Sequence, residues 1–74
     1  MGETVAPASI RLNGQDEPLG VATLAALLED KAVDTGQRGI AVALNGAIVP
    51  RAAWPQTPLR AGDTIEIVRA LRGG

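Results

Sequence analysis

The sequence predicts an α+β domain: a mixed sheet of four to five strands with one main helix across one face. Two pairs, Asn13-Gly14 and Asn45-Gly46, each follow an alternating apolar segment. Such pairs favour tight hairpin turns, because both residues tolerate positive φ. Between them, Leu24, Leu27 and Leu28 recur at the spacing of one helix face. A chain of 74 residues has room for one core, so the strands and the helix must share it.

Residues 1–7 lack periodicity, carry a proline and read as a flexible leader. The folded domain is then 8–70, with 71–74 a flexible tail. A first strand is expected over 8–12, with Ile10 and Leu12 facing one way and Ser9 and Arg11 the other. An extended segment follows over 15–19, where Pro18 fits only at a sheet edge. Thr23 is a suitable helix N-cap, and Ala25 and Ala26 add helix propensity. The helical pattern decays through Glu29-Asp30-Lys31, with Gly36 in the loop beyond. That gives a helix of roughly nine to eleven residues, short enough to need packing in order to persist.

Residues 40–44 form the clearest strand: Ile40, Val42 and Leu44 line one face, Ala41 and Ala43 the other. After the second turn, Ala47-Ile48-Val49 extends to a stop at Pro50. Residues 51–59 read as a proline-punctuated connection containing Trp54, expected to pack over one edge of the core. Ala61-Gly62-Asp63 turns the chain into a last strand over about 64–70. The expected core is Ile10, Leu12, Leu24, Leu27, Leu28, Ile40, Val42, Leu44, Ile65 and Ile67.

Composition narrows function. The chain has no cysteine and no histidine, so it lacks the best nucleophile, the commonest general base and the commonest metal ligands. Its adjacent carboxylates, Asp16-Glu17 and Glu29-Asp30, read as solvated surface. Autonomous catalysis and a resident metal are not expected. A net charge of −1 with one aromatic residue argues against a nucleic-acid binder. No apolar run reaches the roughly 20 residues needed to cross a bilayer, and no secretory signal is evident, so a cytoplasmic location is expected.

Gly73-Gly74 puts a carboxylate on a tip without side chains, able to thread a narrow groove in another protein. With Ile65 and Ile67 inward, Glu66, Val68 and Ala70 face outward, beside Ala41 and Ala43 if the strands are neighbours. Such an apolar patch leading into the tail suits partner docking through Ala41, Ala43, Val68 and Ala70.

The element order is that of the β-grasp, or ubiquitin-like, fold. Ala41-Val42-Ala43-Leu44-Asn45-Gly46, Ile48-Val49-Pro50-Arg51, Trp54, Leu59, Gly62-Asp63, Ile65-Glu66-Ile67 and Gly73-Gly74 together resemble the ThiS family of thiamine-biosynthesis sulfur carriers. The Val49-Pro50-Arg51 step followed by Trp54 is the most discriminating piece. The tail, Arg69-Ala70-Leu71-Arg72-Gly73-Gly74, is more basic than the family's usual approach to the glycines.

The resemblance implies a carrier acted on by other enzymes, itself without catalytic residues or bound cofactor, and monomeric when free. A ThiF-type adenylyltransferase, similar to ubiquitin-activating enzymes, would use ATP and magnesium to adenylate the Gly74 carboxylate. A persulfide donor would convert the adenylate to a thiocarboxylate, which gives sulfur to a ThiG-type thiazole synthase. Gly73, Arg72 and Leu71 would thread the partner's groove. The alternatives are the small subunit of a molybdopterin synthase and a ubiquitin-like modifier or binding module.

Overall fold

The computed structural model describes residues 8–33 and 39–69. Its elements are β1 (Ser9–Leu12), β2 (Gln15–Pro18), α1 (Leu24–Asp30), β3 (Ile40–Leu44), β4 (Ala47–Ile48), a 3-10 helix (Arg51–Gln56) and β5 (Thr64–Arg69). The five strands lie in the order β2-β1-β5-β3-β4. β1 and β5 run parallel and every other pair antiparallel, so the sheet is mixed, as expected. Pro18 sits on the edge strand β2, where its missing N–H breaks no ladder. The last strand in sequence is the middle strand in space, which is the β-grasp arrangement.

Thr23 caps α1 as the sequence suggests: its hydroxyl oxygen accepts from the Ala26 N–H at 3.2 Å. The helix is shorter than expected, seven residues rather than nine to eleven. Ala32 takes a left-handed φ of 58° and ends it. The Ala32 N–H then donates to the Glu29 carbonyl and the Val33 N–H to the Leu28 carbonyl, the paired bonds of a Schellman cap. Glycine usually fills that position, which is why the stop is invisible in the sequence.

Leu24, Leu28, Val42 and Ile65 are fully buried between helix and sheet, joined by Ile10, Leu12 and Leu27. Ile40, Leu44 and Ile67, expected in the core, are half-buried and packed against it. Two other residues complete it: Trp54 and Leu59. They come from the segment read as a connection, which instead folds over the end of the core. The Leu24 N–H donates to the Thr57 carbonyl at 2.9 Å and the Leu59 N–H to the Ala22 carbonyl at 3.0 Å, clipping that segment to the start of α1.

Both Asn-Gly pairs form the expected two-residue turns, with φ of 50° and 85° at Asn13 and Gly14 and 53° and 87° at Asn45 and Gly46. Their asparagines also hold β5 from its two sides. Asn13 Oδ1 accepts from the Ile67 N–H at 2.8 Å. Asn45 Oδ1 accepts from the Thr64 N–H at 2.9 Å, and its Nδ2 donates to Asp63 at 3.0 Å. Asn45→Gly keeps the backbone conformation but loses these bonds, so it is expected to cost about 1–2 kcal/mol. Asn45→Ala adds the left-handed penalty of a residue with a Cβ, about 1 kcal/mol or more. Urea midpoints measure both, and equal losses would show that backbone strain has no part.

Candidate functional site

The outer face of the sheet carries the residues assigned to docking. In the antiparallel pairing of β3 with β5, Ala41 lies opposite Val68 and Ala43 opposite Glu66. Ala41 and Val68 are exposed, Val68 at 59%, and Ala43 is half-buried. These three therefore share one surface. Ala70, Leu71, Arg72, Gly73 and Gly74 lie outside the described residues.

One contributor was missed. Ile48 is 69% exposed and lies opposite Ala43, so it extends the apolar strip onto edge strand β4. The two-residue turn at Asn45-Gly46 already dictates this register: Leu44 must face Ala47, and Ala43 must face Ile48. Reading the turn as a ruler would have found it.

Magnitudes limit what this strip does. Fully covering Val68 and Ile48 yields about 1.5–3 kcal/mol each. Association costs roughly 4–15 kcal/mol before any contact is rewarded. The strip alone cannot hold a lasting complex. It can orient a partner near Arg69, the last described residue of β5.

Trp54 lies elsewhere, beside α1. It is 3% exposed, its Nε1–H donates to the Val49 carbonyl at 2.9 Å, and the Arg51 guanidinium covers its ring at 4.9 Å. Val49, Arg51 and Trp54 are thus one packing unit: the indole fills the core while the bond and the cation fix its orientation.

Among the described residues, no group of three or more His, Cys, Asp or Glu side chains is placed to hold a metal. Nor is any helix among them long and apolar enough to cross a membrane.

The sequence matches the ThiS family over residues 8–74. The chain belongs to the ThiS family. Sulfur carrier protein ThiS from Thermus thermophilus is 40% identical over 63 residues, covering 85% of this chain and 95% of its own. A crystal structure of the thiamine biosynthesis protein (ThiS) from Geobacter metallireducens matches with a TM-score of 0.73 at 26% identity. That match covers 89% of this chain and 99% of the other. The ThiS match takes in both the β-grasp body and the Gly73-Gly74 tail.

Proposed function

We propose that this protein carries sulfur for thiamine thiazole formation on the carboxylate of Gly74. The observation that supports it is the apolar strip of Ala41, Ala43, Ile48 and Val68 beside the end of β5, in a chain whose family match runs through Gly74. The body of the domain offers a surface for enzymes to grip, and the tail offers the group on which they act.

A terminal carboxylate, with a pKa near 3.3–3.7, is an anion at neutral pH and resists nucleophilic attack. A ThiF-type adenylyltransferase overcomes this with ATP and magnesium: a carboxylate oxygen attacks the α-phosphorus, pyrophosphate leaves, and an acyl-adenylate forms. Persulfide sulfur from a donor protein then attacks the acyl carbon and AMP departs. Reductive cleavage of the sulfur–sulfur bond by a thiol leaves a thiocarboxylate, ready for a ThiG-type thiazole synthase. Leu71 and Arg72 enter the partner's groove ahead of the glycines. No side chain of this protein takes part in bond making, consistent with a sequence free of cysteine and histidine.

The test is an intact-mass measurement after incubation with ATP, magnesium, a ThiF-type enzyme and a persulfide donor. Exchange of one terminal oxygen for sulfur is expected; an unchanged mass, or sulfur located elsewhere, overturns the proposal. Val68→Asp tests the strip. Because Val68 is exposed, its melting curve should match that of the parent. Desolvating the new carboxylate against an apolar partner should reduce kcat/KM for activation about tenfold or more. Unchanged kinetics would remove the strip from the docking surface.

A further inference from the structure

The opposite side of β5 carries a feature that the docking strip does not use. The Asn45 N–H donates to the Thr64 carbonyl, so the backbone groups of Thr64, Glu66 and Val68 point toward β3. Those of Ile65, Ile67 and Arg69 point toward β1. β1 pairs with β5 only at Arg11↔Thr64 and Leu12↔Ile65 before its chain turns away at Asn13-Gly14. The Asn13 N–H reaches the Ile65 carbonyl at 2.9 Å, and the Asn13 side chain takes the Ile67 N–H at 2.8 Å. Beyond that, the Ile67 carbonyl and the Arg69 N–H face no strand among the described residues.

Beneath this open edge is a groove of about 420 Å³ lined by Leu12, Asn13, Lys31, Val33, Ile67 and Arg69. It lies past the end of α1 at Asp30, and no helix among the described residues covers the inner face of the last residues of β5. Leu12, Val33 and Ile67 give it an apolar side, and Asn13, Lys31 and Arg69 a polar one. Lys31 is ion-paired with Glu17, and Arg69 has no ion pair among the described residues.

We infer that this edge accepts an extended, acidic segment of a partner protein, which continues the sheet where β1 turns away. An acceptor and a donor two residues apart on one strand edge are what an added strand requires. Leu12, Val33 and Ile67 receive its apolar side chains and Arg69 a carboxylate, so alternating acidic and apolar residues fit. The edge at β2 is less suitable for an acidic segment, since it presents Asp16, Glu17 and Pro18. This surface is independent of the sulfur-carrying role, and its test reads binding alone.

The probe is a capped peptide of three Glu-Val repeats, titrated to millimolar concentration into the full-length protein and followed by amide NMR. Shift changes at Asn13, Val33, Ile67 and Arg69, with slowed exchange of the Arg69 N–H, are expected. Arg69→Gln keeps the donor and loses the charge, so binding should weaken about threefold. Arg69→Pro loses both, and about tenfold or greater weakening is expected. Equal binding of a Lys-Val peptide, shifts confined to the outer face around Val68, or unchanged Arg69 exchange would each overturn the inference. The exchange measurement needs no variant, so it holds even if the proline disturbs the strand.

Discussion

A chain lacking Gly74 is expected to melt like the parent protein yet fall at least about a hundredfold in sulfur loading, because displacing a reacting group by even 1 Å costs that much. The new terminus would still be a carboxylate on a glycine, so chemistry alone does not predict the loss. Reach does. One extended residue spans about 3.3–3.6 Å, and the shortened tail would hold its carboxylate that far from the nucleotide. Folding should be spared, since among the described residues the buried ones end at Ile65 and the half-buried ones packed on them at Ile67. Intact mass after the activation reaction, with a melting curve alongside, separates the two effects. Full sulfur loading of the truncated chain would remove Gly74 from the mechanism.

Trp54→Ala should have the opposite profile, a large loss of stability with the chemistry untouched. Removing a buried aromatic side chain costs about 3–5 kcal/mol. The total stability of a domain this size is only about 4–11 kcal/mol. The Val49 carbonyl also loses its partner and Arg51 the ring beneath it. A fall in Tm of at least about 12 °C is expected, measured by circular dichroism because the only tryptophan is gone. Trp54→Phe, which keeps most of the volume and loses the indole bond, should recover more than half of that. Below its melting point the alanine variant should still accept sulfur at the parent rate. A stable but inactive variant would instead mean that the indole touches a partner.

The strands were legible because their signals are local. Alternation fixed which of Ile40 to Leu44 face inward, and each Asn-Gly pair fixed a turn and with it a register. The helix end was not, because it depends on a left-handed alanine at position 32, and alanine carries no such signal. Leu59 was overlooked for a related reason: prolines at 50, 55 and 58 read as loop, whereas tertiary bonds to Ala22 and Leu24 fold that loop onto the core. At the docking surface, alternation put Ala41 and Val68 on outward faces, but their pairing depended on β3 and β5 being neighbours, which the structure shows. Ile48 required the turn geometry as well. The second role of Asn13 and Asn45 could not be read locally, since both reach a strand distant in sequence.

The place of β5 between β1 and β3 also has a consequence during synthesis. A growing polypeptide that has emerged only through the 3-10 helix owns two separate hairpins and no spine to join them. Contacts of such long sequence separation form late and slowly. The nascent protein must therefore wait, with Leu12, Val42 and their neighbours unprotected, until the final strand clears the ribosome and slots between the waiting halves.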